Sequence, residues 1–232
     1  MQIFVSASRS LVGGNLVIVI AGVAVDGLLI VVTLYTQQVL GFSAMQFGLT
    51  MAIMTVTSVL GVIFGQHLVT RTGFALVATA GLTLLGVACL VLSQMPPGGT
   101  LVDDLLAGLV MFGVGMGAAF VAGQIAALAG VAEQDAGLAA GLEETSFAVG
   151  TTVGAALASA VAIGYATRET TAVPSAAVLT EGFERALLVL AVLAALGAVL
   201  AVALLRPVRP VRVAGHGANV SVADQAVTNP RR

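Results

Sequence analysis

The chain contains no lysine and no tryptophan, and charged residues of any kind make up only 9% of its 232 residues. Soluble globular proteins carry roughly 25% charged residues, so this composition excludes an ordinary soluble domain. All nine basic residues are arginines in the loops and ends of the predicted spans, and the net charge is −2. A nucleic-acid partner is therefore not expected, because it would need a clustered basic groove.

Cysteine and histidine are scarce as well. Cys89 is the single cysteine, so an intrachain disulfide is excluded and a packing role is expected in its apolar run. The two histidines, His67 and His216, lie outside the apolar runs and lack metal-ligand spacing. An intramembrane protease or metalloenzyme needs such side chains at depth. We therefore expect no enzyme activity, no metal and no cofactor.

Apolar residues dominate instead, at 59% of the chain, and the mean hydropathy is +1.09. A spanning helix needs about 20 mostly apolar residues. Runs of that length fall at about 11–35, 44–66, 73–94, 101–125, 136–165 and 183–205. The sequence predicts an all-α membrane protein with six transmembrane helices in a domain at 11–205. A cytoplasmic segment at 1–10 and a disordered cytoplasmic tail at 206–232 are expected to flank it.

Arginine placement predicts the orientation, because short cytoplasmic loops carry the excess of basic residues. With both termini in the cytoplasm, five arginines of the loops and ends lie inside and two lie outside. The five are Arg9, Arg71, Arg206, Arg209 and Arg212, and the two are Arg168 and Arg185. We expect the protein in the plasma (inner) membrane.

Three acids lie in the predicted spans away from the first few residues: Glu143 and Glu144 in the fifth, and Asp26 in the first. An ionised carboxylate at the centre of a spanning helix costs roughly 2.5–3.5 kcal/mol. No arginine lies in a helix core, so these acids must be protonated, face water or pair with another chain. Proton or cation coupling in a cavity is one interpretation. The other is that the two glutamates, about 10 Å from the helix midpoint, simply reach cytoplasmic water.

Further polar side chains are weaker candidates for a cavity lining. They are Thr151, Gln124 and Thr55.

Glycine spacing indicates close helix packing and an internal repeat. On the fifth helix, Glu144 shares a face with Gly137 and Gly141, and Glu143 shares one with Gly150 and Gly154. Small residues four apart let another helix approach, so we expect this helix to be buried among others with its acids turned inward. Helix two offers Gly61 and Gly65 for the same purpose. Moreover, Gly48, Gly61 and Gly65 repeat the spacing of Gly137, Gly150 and Gly154. This spacing predicts two inverted three-helix repeats.

Three stretches resemble one transporter family in the same order. Residues 34–48 read LYTQQVLGFSAMQFG and resemble its L-Y-x-Q-x-V-x-G-x-S-x-x-x-x-G junction. Residues 66–73, QHLVTRTG, resemble a cytoplasmic loop, and 136–150, AGLAAGLEETSFAVG, resemble the G-L-A-S-G-L-x-N-T-S-x-x-V-G segment of its penultimate helix. From about residue 3 to 206 the chain resembles the C-terminal half of a major facilitator superfamily transporter, in the fourteen-helix drug:proton antiporter branch.

This resemblance implies half of a major facilitator fold and proton-coupled efflux of drugs or other small molecules across the lipid bilayer. Family members hold substrate between two halves, so a second six-helix unit, from a homodimer or a separate chain, is implied. The chain departs from the family at Thr70, where an Asp is usual, and at Glu144, where Asn is frequent. Because the first half is absent, the alternative is a truncated or non-transporting protein that acts as a partner subunit or fragment.

Overall fold

The computed structural model describes residues 2–96, 100, 105–169 and 175–205, with the backbone alone for residues 2–8 and 169. This part of the chain forms six long α-helices. They are α1 Gln2–Leu34, α2 Ala44–Thr72, α3 Phe74–Leu92, α4 Leu106–Leu128, α5 Ala136–Glu169 and α6 Ala176–Leu204. Each is long and apolar enough to cross a membrane. The prediction of an all-helical protein with six spans is confirmed.

The helices extend beyond the predicted spans. α1 begins at Gln2, inside the predicted segment 1–10, and α6 begins at Ala176 rather than at residue 183. Apolar runs report only the part of a helix that lies in hydrocarbon, whereas helical hydrogen bonding continues into the polar layers. The predicted tail at 206–232 lies outside the described residues.

Local signals set several helix ends. Ser43 caps α2, because its hydroxyl accepts from the Gln46 N–H while the Gln46 side chain accepts from the Ser43 N–H. Gly73 joins α2 directly to α3 with a φ of +88°, a conformation that favours glycine. Ser175 caps α6 by accepting from the Val178 N–H. The resulting short connections make consecutive helices antiparallel.

The closest helix crossings place glycine against the backbone of a parallel neighbour. A Cβ on Gly150 or Gly154 of α5 would collide with the carbonyl oxygen of Val19 or Val23 in α1. In the same way, a Cβ on Gly61 of α2 would collide with Val114 of α4. Because lipid tails are as apolar as side chains, such close van der Waals contact is a main attraction between helices in a membrane.

These two crossings are related by the predicted inverted repeat. A Cβ on Gly22 of α1 would meet the backbone of α5, and one on Gly117 of α4 would meet the backbone of α2. In both cases the added Cβ would meet a carbonyl oxygen, the carbonyl carbon three residues later and the amide nitrogen four residues later. These atoms are Phe147 O, Gly150 C and Thr151 N for Gly22, and Ser58 O, Gly61 C and Val62 N for Gly117. Gly48 and Gly137, the first members of the two glycine series, both have open space around them. Helices α1–α3 and α4–α6 are therefore two inverted repeats, as in half of a major facilitator fold.

Burial within the chain is uneven. Only 11% of the apolar window of α2 and 22% of that of α5 are buried, against 39% to 56% for the other four helices. The core lies where α1, α3, α4 and α6 meet, with Tyr35, Phe112 and Leu82 among its fully buried side chains. α2 packs mainly on α4, and α5 packs on α1 and α6. The two least buried helices thus expose most of their surface.

The expectation that α5 is buried among other helices of the chain is wrong for one of its two faces. The face with Glu143, Gly150 and Gly154 packs on α1, as expected. Gly137 and Gly141 are exposed, and nothing described lies within 4 Å of a Cβ added to either. Small residues permit a close approach, but they do not by themselves supply a neighbouring helix.

The glycine geometry predicts opposite outcomes for the same substitution within one helix. Gly150→Ala should lower the free energy of unfolding by about 1–3 kcal/mol, because the added methyl group collides with Val19. Gly137→Ala, in open space, should leave it unchanged or raise it by up to about 1 kcal/mol, since alanine favours helix. Thermal unfolding of the purified protein in detergent measures both. Equal midpoints of thermal unfolding for the two variants would contradict the close packing of Gly150 against Val19.

Candidate functional site

The structure separates the two neighbouring glutamates of α5. Glu143 is only 7% exposed and lies on the face that packs against α1. Glu144, the next residue, is exposed on the side of α5 that no helix covers. Asp26 is half-buried on α1, one turn beyond Gly22 and Val23, which contact α5. Glu143 and Asp26 lie on the two helices of the closest crossing but at different levels. Ser146 is level with Asn15, so Glu143 lies near residue 12 of α1, roughly 20 Å along the helices from Asp26. Glu144 faces away from α1.

No basic side chain of the described residues pairs with these acids. Glu143, Glu144 and Asp26 make no hydrogen bond or ion pair with another described residue. The described arginines are all exposed and lie towards helix ends: Arg9, Arg71, Arg168 and Arg185. Among the described residues, these carboxyl groups therefore have no arginine partner.

Arg185 is engaged at one end of the bundle instead. Its guanidinium lies 4.4 Å from the centroid of the Tyr165 ring, a distance typical of a cation–π contact. The Tyr165 hydroxyl also donates a hydrogen bond to the Glu181 carboxylate. This group of three residues joins the end of α5 to the start of α6, so α5 is attached to α6 at this end and to α1 through its glycines.

A polar cluster lies next to Glu143 at the α1–α5 crossing. The Ser146 hydroxyl donates to Asn15 Oδ1 at 2.8 Å, and Asn15 Nδ2 donates to the Leu11 carbonyl oxygen at 2.8 Å. Ser10 links α1 to α4 by donating to the Ala126 carbonyl oxygen at 2.7 Å. Sequence reasoning missed these residues. An asparagine within an otherwise apolar run is the signal that could have identified Asn15, since such side chains bond across helices in membranes.

The weaker cavity candidates do not form one group with the acids. Thr151 is half-buried on α5, and its hydroxyl donates to the Ala148 carbonyl oxygen of its own helix. Thr55 is exposed on α2, which packs mainly on α4 rather than on α5. Gln124 is half-buried on α4, beside Gly123, which contacts α1. Thr151 and Gln124 thus lie on helices that contact α1, and Thr55 lies on the far side of α4.

An aromatic contact connects α4 to α5 in the same region. The rings of Phe120 and Phe147 meet edge to face with their centroids 5.3 Å apart. Phe147 follows Ser146, so one turn of α5 contacts α1 through a hydrogen bond and α4 through an aromatic ring. No group of three metal-ligating side chains comes together among the described residues.

Six spans in two inverted three-helix repeats give this chain the fold of half of a membrane transporter. The sequence matches the model of the Major Facilitator Superfamily over residues 14–228. Because this match covers almost the whole chain, the protein belongs to that superfamily of transporters. A search of curated proteins finds no significant match.

The Asn15–Ser146 hydrogen bond predicts a measurable coupling between α1 and α5. In a double-mutant cycle, Asn15→Leu and Ser146→Ala should show a coupling energy of about 0.6 kcal/mol, the average for such bonds in membranes. Stability in detergent provides the measurement. The matched control is Thr145→Ala, whose hydroxyl donates to Gly141 in its own helix. The effects of Thr145→Ala and Asn15→Leu on stability should be additive. An equal coupling energy in both cycles would contradict the Asn15–Ser146 hydrogen bond.

Proposed function

We propose that this chain is one six-helix half of a proton-coupled exporter of drugs or other small molecules, in the fourteen-helix antiporter branch. The observation that carries the proposal is Glu143, an acid that is only 7% exposed and has no basic partner among the described residues, at the crossing of α1 and α5. Ionisable side chains within membrane spans mark proton and ion pathways by default. A crossing that opens and closes around such a group would take up and release a proton.

A second six-helix unit is part of this proposal. α5 carries the exposed acid Glu144, and an ionised carboxylate facing lipid costs roughly 2.5–3.5 kcal/mol. α2 carries the exposed Thr55 and buries only 11% of its apolar window. Polar groups on the two least buried helices favour a water-filled cavity shared with another unit over a surface covered by lipid. A homodimer or a separate chain would supply that unit.

The three acids take different roles in the proposed transport cycle. Glu143 and Asp26, on the two crossing helices, would bind and release the coupled proton. Glu144, on the uncovered face of α5, would face the cavity and attract a cation. Rocking of one six-helix unit against the other would expose the cavity to each side of the membrane in turn. Thr151 and Gln124 are proposed to line it near α1, with Thr55 further away.

A transport assay on the purified chain tests this function. The mass of the protein in nanodiscs should be that of a dimer, and an imposed proton gradient across proteoliposomes should drive accumulation of a cationic dye. Glu143→Gln and Asp26→Asn should each lower gradient-driven accumulation at least about fivefold, the lower limit typical of coupling between two binding sites. Glu144→Gln should weaken binding of the dye instead.

Glu133→Gln, in the exposed link before α5, is the control and should transport normally. A dimer whose transport is unchanged by Glu143→Gln and Asp26→Asn would refute the roles of these acids. A monomer that moves no dye would favour the alternative, a non-transporting partner subunit or fragment.

We further propose that both termini lie in the cytoplasm of a cell whose plasma membrane holds the protein. The test uses a chain in which Cys89, the only cysteine, is replaced by alanine. A membrane-impermeant maleimide should label Thr170→Cys in intact cells, and should label the control Gln134→Cys only after permeabilisation. The reverse labelling pattern would show that both termini lie outside the cytoplasm.

A further inference from the structure

The last turns of α5 pack closely on the first turns of α6. A Cβ added to Gly182 of α6 would collide with the carbonyl oxygen of Ala162 in α5. On α5, Ala158, Ala162 and Ala166 follow one another at intervals of four residues, and all three are buried. Residues spaced in this way share one face of a helix. This face therefore holds the end of α5 against α6.

Side chains fasten the same two helix ends. Glu181 and Arg185 are four residues apart on α6, so they lie on one face of that helix. The Arg185 guanidinium lies 4.4 Å from the centroid of the Tyr165 ring, and the Glu181 carboxylate accepts a hydrogen bond from the Tyr165 hydroxyl. One side chain of α5 is thus bound by a cation–π contact and by a charge-assisted hydrogen bond. We call Tyr165, Glu181 and Arg185 the α5–α6 latch.

The start of α5 has few contacts by comparison. Between residues 136 and 145, only Ala139 and Glu143 are buried. Nothing described lies within 4 Å of a Cβ added to Gly137 or Gly141. The two ends of α5 are therefore held to very different degrees by the described part of the chain.

The link that leads into α5 can absorb a movement of this loosely held end. It contains Gly130, with a φ of +82°, and the exposed turn Glu133–Asp135. Hinges in proteins are typically a few loop or element-terminal residues of this kind. The start of α5 therefore has the properties of a movable end, and its last turns have those of a fixed end.

The α1–α5 crossing lies between these two ends. Gly150 is about 22 Å along the helix from Tyr165, and Gly137 is about 42 Å from it. Ser146 and Phe147, which contact α1 and α4, lie within one turn of Gly150. If these contacts loosen while the latch stays closed, a helix that moves as a rigid body is displaced most at its start.

We propose that the α5–α6 latch is the pivot of α5. When the α1–α5 crossing loosens, α5 tilts about Tyr165 instead of separating from the bundle, and the gap opens at the end that carries Glu143. The inference rests on the proposed function only for the event that loosens the crossing in a transport cycle. The pivot itself depends on contacts within the chain and needs no transport.

Spin labels on two pairs of exposed positions test the pivot, in a chain whose Cys89 is replaced by alanine. Thr167→Cys and Leu188→Cys report on the latched end, and Leu138→Cys and Val202→Cys report on the opposite end. The labelled chain is diluted with unlabelled chain in nanodiscs, so that the measured distances lie within one molecule. Pulsed electron paramagnetic resonance gives the width of each distance distribution.

Gly150→Ala provides the loosening, because the added methyl group collides with Val19. With the latch intact, it should widen the distribution at 138 and 202 at least about twice as much as at 167 and 188, since residue 138 lies about 40 Å and residue 167 about 3 Å along the helix from Tyr165. With Tyr165→Phe and Arg185→Gln added, Gly150→Ala should widen both distributions equally.

Glu184→Gln is the matched control, because Glu184 is an exposed acid of α6 beside Arg185 and should leave the latch closed. Equal widening at both pairs with the latch intact, or no widening at either pair, would overturn the proposal. So would a latched end that stays narrow after Tyr165→Phe and Arg185→Gln, or a Glu184→Gln chain that behaves like those variants. These distances are measured without a substrate or a proton gradient, so a chain that moves no dye could still confirm the pivot.

Discussion

The close crossing of α1 and α5 through glycine is the contact on which the rest of this structure depends. In a membrane, apolar side chains gain little by leaving lipid for each other, so helices associate through close packing and hydrogen bonds. Gly150 and Gly154 bring α5 against the backbone of α1, and Gly22 brings α1 against α5. This proximity places Ser146 within hydrogen-bond distance of Asn15, and it buries Glu143. Bulkier residues at these glycines would separate the helices and expose the carboxyl group.

The same crossing explains why one glutamate differs from its neighbour. Successive residues of an α-helix point about 100° apart, so only one of two adjacent side chains can face a given neighbouring helix. Glu143 faces α1 and is buried, while Glu144 remains exposed. The pair therefore combines a carboxyl group held at a helix crossing with one on an open surface. In the proposed transport cycle, the first would bind the coupled proton and the second would face the cavity.

Much of the fold could be predicted from the sequence, because the membrane imposes simple constraints. Apolar length predicted all six spans, and the glycine series of α2 and α5 predicted the inverted repeat. Which glycines contact a helix could not be predicted: Gly137 and Gly150 have similar sequence surroundings, but only Gly150 has a neighbour. The burial of Glu143 and its Asn15–Ser146 neighbours depends on which α5 face meets α1. The face of α5 that meets α1 is determined by packing between helices that are distant in the sequence. The spacing of glycines within one helix does not reveal it.

The two repeats share a backbone arrangement but not a chemistry. Gly48 corresponds to Gly137 and Gly61 to Gly150, so the positions of Glu143 and Glu144 correspond to those of Met54 and Thr55 in α2. The α2–α4 crossing therefore has Met54 where the α1–α5 crossing has Glu143. Symmetric packing needs only small residues at matching positions, and it leaves the neighbouring side chains free to differ. Because the crossings are equivalent in geometry, Glu143 is a chemical difference between two otherwise similar contacts. In the proposed transport cycle, a proton bound at that crossing would alter the α1–α5 contact and leave the α2–α4 contact unchanged, so the six-helix unit would have one fixed side and one responsive side.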